Sequence, residues 1–166
     1  MQSITFLNPN GAPSETYPGL HTNLLYTLVG TVTKAVVVTS PDPTEGKSTV
    51  CANLAVVLAQ SDKSTLVIDC NLRKPVVHRI FELCNFAGVV NALVGERSPQ
   101  EVWQEPLPGL EVITAGSVLP NPGELLGSRC FTQLLECVRG AFDYVLIDAS
   151  PTEPVSDPPI LAAQGD

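Results

Sequence analysis

Aromatic residues make up only 5% of this sequence of 166 residues. A core built from it is therefore aliphatic and rich in alanine. Basic residues are scarce as well, since 9 Lys and Arg stand against 17 Asp and Glu, giving a formal net charge of −8. That balance argues against nonspecific binding to nucleic acid, which requires a basic face.

Long hydrophobic runs are also missing. The longest apolar region, residues 24–38, is interrupted by Thr, Gly and Lys and is too short and polar to cross a bilayer. The first residues lack the basic and apolar segments of a signal peptide. We therefore expect a cytoplasmic protein without a membrane span.

Paired cysteine motifs are absent. The sequence has 5 cysteines, an odd number, and no two of them form a CxxC pair. This excludes a disulfide framework and a zinc site of the usual spacing. The pattern predicts buried free thiols in a reducing compartment.

Residues 36–49, VVVTSPDPTEGKST, combine an apolar strand pattern, a loop and the start of a helical pattern. This order is typical of a phosphate-binding loop, in which the amino terminus of a helix attracts an anion. Gly46 permits close approach of the backbone, Lys47 can reach the β- and γ-phosphates, and Ser48 can ligate Mg²⁺. Pro41 stands where the usual motif opens with Gly. A plain turn with an exposed Lys is the alternative.

The rest of the chain alternates between strand and helix patterns. We predict strands at 36–39, 65–68, 110–114 and 144–147, and helices at 14–29, 50–60, 89–94, 131–138 and 160–164. Two more helices are predicted to begin at Pro75 and Pro122. Residues 1–13 read as a mobile arm and residues 14–166 as one domain. Such alternation predicts an α/β fold with a parallel, doubly wound sheet.

Two of the predicted strands end in a carboxylate. Asp69 follows LVI and Asp148 follows YVLI. Because ligands of such sheets bind beyond the carboxyl ends of the strands, both residues are candidates for holding Mg²⁺ directly or through water. The alternative is that each Asp caps the following turn. Arg73 can contact a phosphate or serve only as a solvated basic turn.

The segments SPDPTEGKST, VIDCNLRKP, PNPGELL and FDYVLID, in this order, resemble the bacterial tyrosine kinases. These are the cytoplasmic kinase domains of capsule and exopolysaccharide export systems. The resemblance begins near Ser14 and continues to the end of the sequence. It implies a P-loop NTPase fold with three layers, helices covering both faces of a mostly parallel sheet, and Mg²⁺-ATP-dependent phosphorylation of protein tyrosines.

The resemblance also implies roles for individual residues. Lys47 and Asp69 are the expected catalytic residues, and Ser48, Asp69 and Asp148 are the expected metal-binding residues. The nucleotide-binding set is Thr44, Glu45, Gly46, Lys47, Ser48, Thr49 and Arg73. The implied partners are ATP or ADP with Mg²⁺ and a membrane polysaccharide co-polymerase or adaptor protein, which would bring the chain to the inner face of the membrane.

The sequence departs from the family pattern in three places. Asp-x-Asp after the second strand is replaced by Asp69-Cys70-Asn71, so we expect a weaker Mg²⁺ site that Asn71→Asp would strengthen. The ring-forming motif Glu-x-x-Arg-x-x-Arg is matched by Glu15, Pro18 and His21, so ring assembly by that motif is not expected and the oligomeric state is left open. We also expect the last strand and the tyrosine cluster of the family to be absent.

Two alternatives share this fold. One is a non-catalytic relative that acts as a binding or adaptor module. Pro41, Asn71, the absent arginines of the ring motif and the expected absence of the family's last strand and tyrosine cluster favour it. The other is an ATPase of the Min/Par group. Such ATPases carry a Lys near the start of the loop, and residues 41–44 contain none.

Overall fold

The computed structural model describes residues 34–42, 45–117 and 122–151. The strands in these ranges are β1 (Lys34–Val38), β2 (Thr65–Asp69), β3 (Trp103–Leu107), β4 (Leu110–Ile113) and β5 (Tyr144–Asp148). The α-helices are α1 (Lys47–Gln60), α2 (Val77–Ile80), α3 (Val89–Leu93), α4 (Pro122–Leu126) and α5 (Arg129–Arg139), with a 3-10 turn at Pro99–Val102. The predicted arm at 1–13 and the helices predicted at 14–29 and 160–164 lie outside the described residues.

The strands form one sheet in the order β1-β5-β2-β4-β3. Strands β1, β5, β2 and β4 are mutually parallel, and β3 runs antiparallel to β4. Chain order therefore differs from spatial order, since β5 lies between β1 and β2. This confirms the predicted mostly parallel α/β sheet.

β3 is not predicted by the sequence pattern. Its sequence, WQEPL, contains Pro106 and shows no fully buried position. Proline lacks an N–H donor and is tolerated in an edge strand, and β3 forms the outer edge of the sheet. The turn between β3 and β4 includes Gly109, whose φ of 79° suits glycine.

Helices cover both faces of the sheet, which confirms the three-layer arrangement. Side chains alternate along each strand, so Leu66 and Ile68 pack into the core beneath α3, α4 and α5, whereas Val67 packs into the core beneath α1 and α2. The same alternation places Ile147 in the first core and Leu146 in the second. The central strands β2 and β5 are buried along their whole length, as expected for parallel strands between two layers of helices.

Three helices begin at different residues from those predicted, and one of them is α5, which begins at Arg129 rather than at residue 131. α1 begins at Lys47 rather than at residue 50, because Gly46 turns the chain with φ 85° and its carbonyl accepts a hydrogen bond from the Val50 N–H (2.9 Å). α2 begins at Val77 rather than at Pro75. Within the described ranges, no helix is long and apolar enough to span a membrane.

The prediction of uniformly buried thiols is wrong. All five cysteines are free, but only Cys51 and Cys70 are buried, whereas Cys84, Cys130 and Cys137 are exposed. Cys130 and Cys137 lie on the solvent side of the amphipathic helix α5, whose buried stripe is formed by other residues. Cys84 lies in the loop between α2 and α3.

Candidate nucleotide and metal site

Among the residues that the structure describes, none caps the amino terminus of α1 with its side chain. Gly46 is the N-cap residue and makes no side-chain hydrogen bond, and the first turn holds no acidic residue. The first N–H groups of a helix have no partner within the helix, and the helix dipole places partial positive charge there. This end of α1 therefore has the properties of an anion site, as the Gly-Lys-Ser sequence predicts.

The structure brings Lys47, Ser48 and Asp148 together, although Asp148 is 100 residues away along the chain. The Ser48 hydroxyl donates to Asp148 Oδ2 at 2.6 Å. Lys47 Nζ lies 3.2 Å from Ser48 Oγ and 3.8 Å from Asp148 Oδ1. The helix start and the end of β5 thus form one cluster of a cation, a hydroxyl and a carboxylate.

Asp148 has the character of a cation ligand. Burial raises the pKa of its carboxyl to about 6, although the Lys47 charge and the Ser48 hydrogen bond oppose this rise. Its Oδ1 atom is buried and accepts no hydrogen bond from the residues that the structure describes. The ion pair with Lys47 at 3.8 Å leaves this oxygen without a hydrogen bond, and a cation in direct contact with it would recover the free energy that its burial costs.

The donor set fits Mg²⁺. Ser48 and Asp148 offer hydroxyl and carboxylate oxygens, which are the ligands that Mg²⁺ prefers. In the described part of the chain, no group of three or more His, Cys, Asp and Glu side chains could enclose a metal by itself. Mg²⁺ commonly has few protein ligands and completes its shell with water and substrate phosphates, so the small donor set agrees with it.

Asp69 lies directly beside Asp148, because the two residues are register partners on β2 and β5. Burial, followed by the Asp148 charge, raises the pKa of Asp69 to about 8. The N–H groups of Asn71 and Val77 donate to its two oxygens, at 3.1 and 3.2 Å, and oppose the rise. Asp69 therefore also fills the capping role at the start of α2, which was the alternative to a metal role.

The other predicted site residues that the structure describes lie in the loop before α1, in its first turn and in the loop after β2. Glu45 is exposed and its Oε2 accepts a hydrogen bond from the Asp42 N–H at 3.2 Å. Thr49 is half-buried in the first turn of α1, and Arg73 is exposed in the loop after β2. Thr44 lies outside the described residues.

Several residues near the site are not found by sequence reasoning. Ser150 lies after β5, and its carbonyl accepts a hydrogen bond from the hydroxyl of Thr39, which lies after β1. The Ser150 hydroxyl donates a hydrogen bond to the side chain of Asn71. The buried thiol of Cys51 adjoins the carboxylates; burial and the charges of Asp148 and Asp69 raise its pKa, which leaves it a neutral packing residue. No local pattern marks these residues, because their partners are far away in sequence.

Comparison with known proteins decides the family. A family model described as an AAA domain matches residues 33–163. Tyrosine-protein kinase YwqD of Bacillus subtilis (strain 168) is 40% identical over 164 residues, which cover 98% of this chain and 69% of YwqD. The chain belongs to the bacterial tyrosine-protein kinases. The resemblance seen in the sequence motifs is thereby confirmed.

A solved kinase structure agrees with this membership. The kinase domain of the Escherichia coli tyrosine kinase Etk matches with a TM-score of 0.94 at 34% identity, over 98% of this chain and 64% of that domain. Against the complete Etk protein of strain K12, the chain spans only 23% of the length. The chain thus corresponds to part of the kinase domain of its relatives.

More distant structures share the fold alone. The septum site-determining protein MinD from Pyrococcus horikoshii OT3, complexed with Mg-ADP, matches with a TM-score of 0.68 over 80% of this chain and 55% of MinD, at 18% identity. This likeness is one of fold alone. The Min/Par alternative therefore gains support for its fold only. The chain belongs to the family of the tyrosine kinases.

Proposed function

We propose that this chain is a catalytic domain that binds Mg²⁺-ATP at the amino terminus of α1 and transfers the γ-phosphate to protein tyrosines. The observation that carries the proposal is the cluster of Lys47, Ser48 and Asp148, with a 2.6 Å hydrogen bond between Ser48 and Asp148. This cluster joins the anion-binding end of a helix to a cation-binding carboxylate. Binding of a phosphate chain with its counter-cation requires both.

In this proposal the α1 end holds the phosphates. The N–H groups of Gly46, Lys47 and Ser48 would contact phosphate oxygens, and the Lys47 ammonium would neutralise charge between the β- and γ-phosphates. Thr44, Glu45, Thr49 and Arg73 complete the proposed nucleotide-binding set. Positioning and charge neutralisation supply most of the rate enhancement in phosphoryl transfer.

The carboxylates hold the metal and accept the proton. Ser48 and Asp148 are the proposed direct ligands of Mg²⁺, with Asp69 assisting. When bound, Mg²⁺ would neutralise phosphate charge and keep both carboxylates ionised. An ionised Asp69 then accepts the proton of the tyrosine hydroxyl, whose oxygen forms a bond to the γ-phosphorus as the bond between this phosphorus and the bridging oxygen of ADP breaks.

The cellular role is proposed from family membership. We place the chain at the cytoplasmic face of a membrane, bound to a polysaccharide co-polymerase or adaptor protein, where tyrosine phosphorylation would regulate capsule or exopolysaccharide synthesis and export. The oligomeric state is not part of the proposal, since the residues matching the family's ring motif are Glu15, Pro18 and His21.

Transfer of labelled phosphate from ATP to a tyrosine-containing copolymer tests the proposal. Wild-type protein should transfer phosphate only with Mg²⁺. Asp148→Asn should reduce transfer by about a hundredfold, because a neutral amide replaces the negatively charged carboxylate proposed to bind the metal. Lys63→Ala is the control, because it removes a positive charge just beyond the opposite end of α1. Transfer that persists unchanged in Asp148→Asn would contradict the assigned role.

A second candidate function is a nucleotide-binding module without transferase activity. Asn71 favours it, because an amide cannot accept a proton as the Asp of the family pattern can. Nucleotide binding by the wild type without any phosphate transfer would select this candidate.

A further inference from the structure

Three loops at the carboxyl edge of the sheet are joined through one buried serine. Ser150, only 1% exposed, follows β5 by two residues. Its carbonyl accepts a hydrogen bond from Thr39 Oγ1 at 2.8 Å, just after β1. Its own hydroxyl donates to Asn71 Oδ1 at 3.3 Å, two residues after β2. The loops after β1, β5 and β2 are thereby linked around the phosphate site.

The side chain of Asn71 uses both ends of its amide. Oδ1 accepts from Ser150, and Nδ2 donates to the Lys74 carbonyl at 2.9 Å. The backbone N–H of the same residue donates to Asp69 Oδ1 at 3.1 Å. A carboxylate at position 71 could replace the acceptor but not the donor. It would also add a third negative charge beside Asp69 and Asp148, which already repel each other.

We propose that Asn71 is a positioning residue whose side chain, through Ser150 and Lys74, holds in place its own N–H, one of the two backbone donors to Asp69. The inference rests on the proposed function, and it gives Asn71 a role other than that of a weakened metal ligand. Asn71 is only 6% exposed, so its amide group is largely buried away from solvent. There, a hydrogen-bonded amide adds rigidity without adding charge.

A matched control exists elsewhere in the chain. The amide of Asn85 also links two loops, because its Nδ2 donates to the Gly116 carbonyl at 3.2 Å and its Oδ1 accepts from the Gly116 N–H at 2.9 Å. Gly116 follows β4, one strand farther from the Lys47 cluster than β2. Asn85→Ala therefore removes a similar link without touching Asp69.

The test is calorimetric titration with ADP, in Mg²⁺ and in EDTA, combined with thermal unfolding of each variant. Asn71→Ala and Ser150→Ala should each weaken Mg²⁺-ADP binding by about three- to tenfold, the range of one neutral hydrogen bond. Their affinity for ADP in EDTA should change less. The double variant should bind no more weakly than Asn71→Ala alone, because the two residues act through one link. Asn85→Ala should lower Tm and leave both affinities unchanged.

Asn71→Asp separates positioning from metal ligation. On the proposed role, this variant has a lower Tm than wild type in EDTA and gains no affinity for Mg²⁺-ADP. A higher affinity than wild type would overturn the inference, since position 71 would then act as a metal ligand. An Asn71→Ala variant that loses Tm but keeps wild-type affinity would overturn it as well.

The nucleotide site and the role of Asn71 can be tested separately. If the wild type binds ADP and Lys47→Ala does not, the proposed nucleotide site stands whatever the result at Asn71. If the wild type binds no nucleotide, the proposed function and this inference both fail.

Discussion

Helices α1 and α5 cover opposite faces of the same sheet, but their amino termini differ. α5 is capped by Ser128, whose Oγ accepts a hydrogen bond from the Phe131 N–H at 3.3 Å. α1 starts after Gly46 without any side-chain cap. α5 also shows the ordinary amphipathic pattern, whereas α1 is buried all round from residue 51 to residue 59.

We interpret the capped amino terminus of α5 as a structural helix end and the amino terminus of α1 as a ligand-binding one. Capping a helix with its own serine stabilises the protein by about 1 kcal/mol and leaves fewer donors for a ligand. The uncapped end of α1 forgoes this stabilisation and keeps its donors beside Lys47 and Asp148. A helix end that lacks a side-chain cap and lies next to a buried carboxylate oxygen without a hydrogen bond is therefore the end at which a ligand is expected.

Removing the cation of the α1 end should have the largest effect. Lys47→Ala should weaken ADP binding by about a hundredfold, because charge-assisted hydrogen bonds to phosphate are lost. Calorimetric titration measures the change. Lys63→Ala, at the other end of α1, should bind as wild type does; equal losses in both variants would show that the effect is one of overall charge.

Removing the hydroxyl that joins α1 to β5 should have the next largest effect. Ser48→Ala should weaken Mg²⁺-ADP binding by about tenfold, because a metal ligand and the 2.6 Å contact with Asp148 disappear together. Titrations in EDTA should show a smaller loss. An equal loss with and without Mg²⁺ would contradict the metal role of Ser48.

The paired carboxylates predict a pH dependence of stability in the metal-free protein. Asp69 and Asp148 have pKa values raised from 3.8 to about 8 and about 6, so the folded state binds more protons than the unfolded state in this window. The free energy of unfolding gains most from these two carboxyls when both are protonated, below pH 3.8. This gain is lost as the pH rises through about 6 and about 8, where they ionise in the folded protein.

Thermal unfolding measures this dependence. Tm should fall from mildly acidic to mildly alkaline buffer in EDTA, and saturating Mg²⁺-ADP should flatten the fall. A metal-free Tm that rises over the same window would contradict the raised pKa values of this pair.

The smallest effect is expected at the capped end. Ser128→Ala should lower the free energy of unfolding by about 1 kcal/mol through loss of the cap. ADP affinity, measured by calorimetry, should stay at the wild-type value because α5 lies on the opposite face of the sheet. A loss of affinity in this variant would erase the distinction between the two helix ends.

Local and periodic signals predicted the parts of the site that are close in sequence. Gly46, Lys47 and Ser48 carry their signature within one turn of helix, so the loop could be predicted from the sequence. Asp69 and Asp148 could be predicted because the carboxyl ends of parallel strands share one edge. Their roles as metal ligand and base remain predictions.

Other features depend on topology that the sequence does not reveal. Asp69 and Asp148 are neighbours only because β5 inserts between β1 and β2, and no pattern in either strand states that order. The link between Asn71 and Ser150 joins residues 79 positions apart. β3 was not predicted, because this edge strand contains a proline and shows neither an apolar run nor a regular alternation of polar and apolar residues.

The most direct measurement is a calorimetric titration of the wild-type chain with ADP, first in Mg²⁺ and then in EDTA. We expect micromolar binding in Mg²⁺ that weakens by about tenfold or more when the metal is removed, because Ser48 and Asp148 would hold the metal beside the phosphates. Absence of binding at millimolar ADP, or equal affinity with and without Mg²⁺, would contradict the joining of α1 and Asp148 into one nucleotide and metal site.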